Sequence, residues 1–196
     1  MPTRKARAVL LAPLVAFLLA AAPPATPNER LLETLMSRLA QVPERRAGFE
    51  EQKTLAALYQ PLHSSGYLFY RRPGHLEKIT RAPRPESLIV DGERLTLTSA
   101  DGTSHVIDLD NHPELRALID TLRASLAGDL ATLRQFYRVS VDGSMAAWRL
   151  TLAPKDRGLG RLLRETTIDG SGTALHAIRI VEANGDEELM TIDAAP

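Results

Sequence analysis

The sequence has no cysteine among its 196 residues, and this absence excludes several kinds of protein. Without a thiol there is no disulfide framework, no thiol chemistry and no N-terminal cysteine to carry a lipid. A chain of this kind must be held together by its hydrophobic core. Even if an N-terminal leader is removed, roughly 170 residues remain, which is enough for one domain with such a core.

The sequence also lacks an excess of charge of one sign, since it has 24 basic and 24 acidic side chains. If the first 25 residues are removed, 21 basic and 24 acidic side chains remain. There is no basic stripe and no interleaving of basic with aromatic residues. We therefore do not expect the protein to bind nucleic acid.

Catalytic and metal-binding motifs are absent as well. None of the five histidines lies in an H-E-x-x-H spacing, and there is no G-x-S-x-G turn. Ser104 and His105 lie near Asp108, but neighbours in sequence do not make a catalytic triad. We expect neither an enzyme nor a cofactor or metal, and a lipid-modifying hydrolase is the less favoured alternative.

The one long apolar run is at the N-terminus. Three basic side chains in the first seven residues precede residues 8–22, which carry no charge. A basic segment followed by an apolar segment is typical of a secretory signal peptide. A spanning helix needs about 20 apolar residues and would be interrupted by Pro13, so a membrane anchor is the weaker interpretation. We predict a signal peptide over residues 1–25 and a single exported, periplasmic domain over residues 26–196.

Turn dipeptides are the strongest local signal in the rest of the chain. Asp-Gly and Asn-Gly pairs tolerate positive φ and are typical of tight β-hairpins. Runs with alternating apolar side chains lie between them, and earlier strands are expected over residues 49–58, 66–72 and 76–80. The pattern predicts an antiparallel meander. The five pairs lie at residues 91–92, 101–102, 142–143, 169–170 and 184–185.

Helical spacing of apolar residues predicts a first helix over residues 28–42. Asn28 would cap its N-terminus and Pro43 would end it. A short third helix is expected over residues 129–135.

A second helix is predicted over residues 113–127. Asp110 or Asn111 would cap it, proline suits its first turn and Gly128 suits its end. Its apolar stripe either fills a core or lines a cavity. The stripe consists of Leu115, Leu118, Ile119, Leu122 and Leu126.

These elements predict a mainly β (α+β) fold, in which a long antiparallel sheet curves into an incomplete barrel. A sheet must bury one face. Because only two good helices are available, we expect them to form a lid over the concave face. The mouth of such a barrel is a common site for a ligand.

Four segments occur in an order that resembles a known family. They are AGFEEQK at residues 47–53, GYLFYRRP at residues 66–73, LIVDG at residues 88–92 and the helical insertion at residues 112–135. The second is similar to a G-x-x-x-x-x-R-P segment and the third to a hydrophobic-D-G hairpin. Together they resemble the outer-membrane lipoprotein carrier proteins (LolA) and their LolA-like relatives.

The resemblance implies a monomeric periplasmic carrier, whose cavity holds the acyl chains of a lipoprotein or other lipidated cargo. It also implies an inner-membrane donor and an outer-membrane acceptor. Residues 74–78 read GHLEK where the carriers usually have aromatic residues, which favours a divergent branch. The alternative is a non-catalytic cell-envelope binding module, or an accessory protein for export of a lipid or pigment-type (aryl-polyene-like) product.

Arg72 matches the family's buried arginine, which hydrogen-bonds the lid and holds the closed state. A register slip of one residue would put Arg71 there instead. Leu68 and Tyr70 share a face with Arg72, and the sequence does not say which face lines the cavity. Trp148 and Leu150 fit a core as well as a cavity wall. The expected wall consists of Phe49, Leu68, Tyr70, Leu115, Leu118, Ile119, Leu122, Trp148 and Leu150.

Overall fold

The computed structural model describes residues 26–155 and 157–194, so the predicted signal peptide lies outside the described residues. Within them, eleven strands form a single antiparallel sheet. The strands are β1 (Glu44–Thr54), β2 (Leu62–Arg71), β3 (His75–Ala82), β4 (Glu86–Asp91), β5 (Arg94–Thr98), β6 (Ser104–Asp108), β7 (Tyr137–Ser144), β8 (Ala147–Pro154), β9 (Leu163–Ser171), β10 (Ala174–Glu182) and β11 (Glu187–Ala194).

Three α-helices accompany the sheet in the described part of the chain. They are α1 (Pro27–Leu39), α2 (Pro113–Ala127) and α3 (Leu130–Phe136). None of these helices is long and apolar enough to cross a membrane. Two 3₁₀ turns, Leu109–Asn111 and Leu159–Arg161, precede α2 and β9.

The sheet is curved but does not close. Its strand order is β6-β5-β4-β3-β2-β1-β11-β10-β9-β8-β7, so the first and last strands pair at the centre and β6 and β7 are the edges. Every other neighbouring pair is a hairpin or simple meander step, as the turn dipeptides predicted. The predicted fold class, an incomplete and curved antiparallel barrel with helices, is confirmed.

Three of the five predicted turns lie where they were expected, and two do not. The pairs at residues 142–143 and 169–170 lie inside β7 and β9. Both hairpins exist, but they turn further along the chain. The second of these glycines is required by packing instead, because a Cβ atom on Gly170 would overlap the ring of Trp148 and the carbonyl oxygen of Ala174.

The first predicted strand, over residues 49–58, is wrong in its bounds. β1 begins at Glu44 and ends at Thr54. Its first three residues are charged, so the strand starts before any apolar alternation is visible in the sequence. Apart from Gly48, only alternate residues of β1 are screened from solvent, as expected for a strand with one buried face.

α1 begins earlier than predicted and ends earlier. The side chain of Thr26 caps it by accepting a 3.2 Å hydrogen bond from the backbone N–H of Glu29, and Pro27 occupies the first turn. Asn28 is therefore not the cap, and its amide donates to Asp142 at 3.3 Å instead. Proline is well suited to the first helical position, which is why the cap lies before it.

α2 has the predicted bounds. It ends at Gly128, whose φ of +68° is the left-handed conformation that glycine adopts most readily. Neither Asp110 nor Asn111 caps it, because the preceding 3₁₀ turn makes His112 the capping residue, without a side-chain hydrogen bond. The carboxylate of Asp110 accepts from Arg116 instead.

The face of the sheet on which the helices pack, here called the concave face, carries two hydrophobic clusters. The first joins α1 and α3 to strands β7–β9 and includes the fully buried Leu35. The second joins α2 to strands β2–β5 and includes the fully buried Val90. α2 contributes Ala124 to the first cluster and Ile119 to the second, so this helix lies between the two.

Candidate functional site

The strand register decides which side chains point to the concave face. Phe49 lies opposite Gly66 in β2, and Arg45 lies opposite Tyr70. Directly opposed residues of an antiparallel pair point to the same side. Phe49 and Tyr70 are each only 2% exposed, so these pairs, with Leu68 between them, face the core. Leu68 and Tyr70 therefore lie on the core-facing side of β2.

The other side of β2 carries aromatic rings covered by arginines. Arg81 lies 5.1 Å from the ring centre of Tyr67. Arg46 and Arg71 lie 5.4 and 5.9 Å from the ring centre of Phe69. These stacked pairs place Arg71 on the outer face. The alternative in which Arg71 is the inward arginine is wrong.

Arg72 connects three parts of the chain. It follows β2 directly, its Nη1 donates to the carbonyl oxygen of Ala40 at 2.5 Å, and its Nη2 donates to that of Ala127 at 3.0 Å. Ala40 follows α1 and Ala127 is the last residue of α2. The resemblance implied a buried arginine, whereas Arg72 is exposed. Its hydrogen bonds therefore compete with water, which weakens them.

A second arginine holds α2 to the sheet, and the sequence analysis missed it. The Nε of Arg123 donates to the carbonyl oxygen of Gly74 at 2.9 Å, and its Nη2 donates to that of Gly92. Both glycines lie in hairpin turns, between β2 and β3 and between β4 and β5. Arg116 lies 3.3 Å from the carboxylate of Glu93 in the second of these turns. Its spacing of seven residues from Arg123 puts both arginines on one side of the helix, which is the signal that was available.

The buried side of α2 is only half apolar. Its four buried residues are Ile119, Thr121, Ala124 and Ser125. The hydroxyl of Thr121 donates to the carbonyl oxygen of Ala117 at 2.6 Å within the helix. The hydroxyl of Ser125 is buried without a hydrogen-bond partner in the described residues. An unpaired buried hydroxyl weakens the attachment of a helix to its core.

The nine residues expected to line one cavity are divided by the structure. Leu115, Ile119 and Tyr70 belong to the second cluster, while Leu118, Trp148 and Leu150 belong to the first. Phe49 and Leu68 lie on the central strands β1 and β2. Leu122 is 40% exposed and belongs to neither cluster.

Beyond Phe49, the concave face of β1 changes from apolar to charged. Glu51 contacts the ammonium of Lys78 and accepts a 2.5 Å hydrogen bond from the hydroxyl of Ser64. Lys53 lies 3.0 Å from a carboxylate oxygen of Glu182 and 3.9 Å from one of Glu188. The pairing of β1 with β2 and β11 brings these groups together. Acyl chains would therefore meet apolar surface on only one half of this strand.

Two carboxyl groups of this charged cluster, those of Glu51 and Glu188, have pKa values shifted in opposite directions. Burial, the hydrogen bond to Glu51 and the charge of Glu51 raise the pKa of Glu188 to about 7. Burial alone would raise the pKa of Glu51 as well. Hydrogen bonds from Glu188, Lys78 and Ser64, with the charge of Lys78, outweigh that effect and lower the pKa of Glu51 to about 2. Near neutral pH, Glu188 is therefore the group that gains or loses the proton.

One family model matches the chain over most of its length. The model of the family described as outer membrane lipoprotein carrier protein LolA-like matches residues 20–195. The chain is similar to a crystal structure of a LolA superfamily protein from Nitrosomonas europaea, with 8% identity, a TM-score of 0.43, and coverage of 85% of this chain and 94% of that one. It is also similar to the Pseudomonas aeruginosa MucA/MucB complex structure, with 12% identity, a TM-score of 0.44, and coverage of 84% of this chain and 58% of that one. None of the curated proteins matches the sequence.

Proposed function

This chain belongs to the LolA-like family of outer membrane lipoprotein carrier proteins, and on that premise we propose that it is a periplasmic carrier for acylated cargo. The cargo is a lipoprotein or another lipidated molecule, received from an inner-membrane donor and passed to an outer-membrane acceptor. Residues 1–25 serve as the export signal. The protein binds and releases its cargo without catalysing a reaction.

The observation that supports this proposal most directly is the way α2 is fastened. Arg72 and Arg123 hold it to the turn after α1 and to two hairpin turns, through hydrogen bonds to backbone carbonyl oxygens. A hydrogen bond from a charged donor contributes about 1.5–3 kcal/mol, and less where water competes for the donor, as it does at the exposed Arg72. Every methylene of an acyl chain that is buried contributes about 0.8 kcal/mol. A chain with roughly ten buried methylenes therefore contributes about as much as these four hydrogen bonds, and its contacts with the strands replace those of α2.

In this account α2 is the lid. When the carrier is empty, Leu115 and Ile119 of α2 fill the second cluster and Leu118 packs against the first. When cargo binds, acyl chains replace these side chains against the same strands. The half-polar buried side of α2, with Thr121 and Ser125, makes its removal less costly than that of a fully apolar helix.

A second candidate function is a non-catalytic binding module of the cell envelope. One observation favours it, since both hydrophobic clusters are already filled by the protein's own side chains, with Leu35, Val90 and Leu109 fully buried. A filled core needs no cargo. Membership of the same family is compatible with such a binding module. It is also compatible with a role in export of a lipid or pigment-type product.

Binding of a fluorescent fatty acid separates the two candidates. If the protein is a carrier, we expect the mature wild-type protein to bind the probe saturably, and an unlabelled acyl ligand to displace it. If the protein is instead a binding module with a filled core, we expect no saturable binding of the probe. The probe's fluorescence should respond to substitution of Leu118 on α2, because that side chain lies between the helix and the first cluster.

A further inference from the structure

Arg45 lies on the concave face, and its positive charge has no ion-pair partner in the described residues. It lies opposite Tyr70 in the pairing of β1 with β2, so both side chains point to the same side. Its Nη1 donates a 2.6 Å hydrogen bond to the carbonyl oxygen of Thr173, in the turn between β9 and β10. This places the guanidinium across the concave face near one end of the sheet.

Two atoms of this guanidinium and one atom of Tyr70 are buried without a hydrogen-bond partner in the described residues. They are Nε and Nη2 of Arg45 and the hydroxyl oxygen of Tyr70. Tyr70 is 2% exposed, so its hydroxyl has no access to bulk water. Buried donors are nearly always paired in native proteins, so unpaired groups on two directly opposed residues indicate a partner that binds there.

The unpaired atoms have the geometry of an oxyanion receptor. Nε and Nη2 form one side of the planar guanidinium, where two parallel N–H groups match the two oxygens of a carboxylate or phosphate. The hydroxyl of Tyr70 offers a third donor. Nη1, which is engaged by Thr173, fixes the orientation of the fork.

No carboxylate of the described residues forms an ion pair with the Arg45 guanidinium. Burial lowers the pKa of Arg45, and Tyr70 is the one ionisable group that acts to raise it. Glu51 is the next acidic residue on the concave face of β1, about 20 Å away at about 3.3 Å per residue. Its charge is satisfied by Lys78.

The concave face around Arg45 is complementary to an amphiphile that has an anionic headgroup. From Arg45, the concave face of β1 continues with Ala47 and then the buried Phe49, so a cationic end is followed by an apolar stretch. Arg72 lies two residues beyond Tyr70 at the same end of β2 and fastens α2 there. Release of that contact would loosen the structure at the end of the sheet where the half-buried Arg45 lies.

We infer that Arg45 and Tyr70 form a subsite for the anionic headgroup, a carboxylate or phosphate, of an acyl-chain ligand. The inference rests on the proposed carrier function and deepens it, because it names the class of cargo that the concave face selects. The acyl chain lies over Ala47 and Phe49, and the headgroup is held by the side edge of the guanidinium.

The test compares ligands that share a chain and differ in their headgroup. Binding of a long-chain fatty acid, the alkyl phosphate and the alcohol of the same length is measured by displacement of a neutral fluorescent acyl probe, at a pH where the acid is ionised. The variants are Arg45→Met and Tyr70→Phe. The matched control is Arg46→Met, which removes the neighbouring arginine on the outer face. Thermal unfolding confirms that each variant is folded.

Wild type and Arg46→Met should bind the acid or the phosphate about tenfold or more tightly than the alcohol. Arg45→Met should lose this preference while keeping its affinity for the alcohol, and Tyr70→Phe should reduce the preference. The inference is overturned if wild type shows no preference, or if Arg45→Met retains it. If Arg45→Met does not fold, an unchanged preference in Tyr70→Phe overturns it.

Two further arms separate the possible sources of failure. Acetate and inorganic phosphate carry the charge without the chain, and displacement of the bound acid by either at similar concentration would contradict a headgroup subsite in favour of a free-anion site. If the alcohol and the neutral probe bind wild type but the acid binds no more tightly than the alcohol, the carrier function is retained and the headgroup subsite is rejected. If no acyl ligand binds wild type, the carrier function falls and the subsite falls with it.

Discussion

The Nη2 atom of Arg72 donates a hydrogen bond of 3.0 Å to the carbonyl oxygen of Ala127, the last residue of α2. The C-terminal end of a helix carries partial negative charge, which favours a cation at this position. The same guanidinium reaches Ala40, which follows α1. One exposed side chain therefore connects the ends of two helices to the end of a central strand.

Replacing Arg72 by leucine should yield a folded protein that retains acyl cargo and releases it poorly. The substitution removes both hydrogen bonds that favour the closed, empty arrangement, and it leaves the cargo-bound arrangement unaffected. Because the contact is exposed to water, we expect release to an acceptor to slow by roughly fivefold. Arg72→Lys should be intermediate, since a point charge does not reproduce the planar fork. The measurement is the rate of transfer of a fluorescent fatty acid to acceptor vesicles.

Arg71→Leu is the control for this prediction, because Arg71 stacks on Phe69 on the outer face. It should release cargo like wild type. Equal release rates for wild type, Arg71→Leu and Arg72→Leu would show that the fold has been kept in this chain without the release mechanism.

Introducing a charge at Leu118 should weaken acyl binding. Leu118 lies between α2 and the first cluster, so an aspartate there would place a carboxylate against the surface that acyl chains would occupy. Leu118→Asp should raise the dissociation constant for the fluorescent fatty acid by about tenfold or more. Leu122→Asp should have a smaller effect, because Leu122 is 40% exposed. Unchanged binding in both folded variants would rule out α2 as the lid.

The stability of the protein should depend on pH through Glu188. The pKa of Glu188 is raised to about 7 in the folded protein, chiefly by burial, from an ordinary value of 4.5. A raised carboxyl pKa means that the folded state binds the proton more tightly. The contribution of Glu188 is therefore complete below the unfolded pKa and is lost as the pH rises through about 7.

This dependence is measured as the difference in free energy of unfolding between wild type and Glu188→Gln, which does not titrate. Between about pH 5 and about pH 8, wild type should lose on the order of 2 kcal/mol relative to the variant. Glu187→Gln, at the half-exposed neighbour that pairs with Arg179, is the control. A difference between wild type and Glu188→Gln that is constant over this range would contradict the prediction.

Gly170 should be intolerant of a side chain although it lies within a strand. A Cβ atom there would overlap the ring of Trp148 and the carbonyl oxygen of Ala174. Gly170→Ala should lower the free energy of unfolding by about 2 kcal/mol or more, measured by urea denaturation. Gly160→Ala should be nearly neutral, since a Cβ atom there meets no neighbour within 4 Å. Comparable stability of the two variants would show that the strand adjusts around Trp148.

Local signals in the sequence were sufficient for much of the fold. α2 was predicted with its correct bounds because Pro113 suits a helix start and Gly128 suits a helix end. The meander followed from the turn dipeptides, even where the glycine at residue 170 was required by Trp148 instead of by a turn. Such packing requirements are not visible in the sequence, since they depend on which strands become neighbours.

The polar groups of the concave face were not predictable in the same way. Glu51 and Glu188 are far apart in the chain and meet only because β1 pairs with β11. No motif in the sequence singled out Arg45, because only the strand register places it opposite Tyr70. Leu122 was assigned to the lid because the apolar stripe of α2 is wider than its buried side, which includes Thr121 and Ser125.

The carrier function is tested most directly by mass spectrometry of lipids extracted from the mature protein after purification from the periplasm. Leu118→Asp, purified in parallel, controls for lipid that adheres without specific binding. We expect acyl lipids at close to one ligand per wild-type chain, with a clear loss in the variant. Wild-type protein that contains no acyl lipid and does not bind an added fluorescent fatty acid would contradict it.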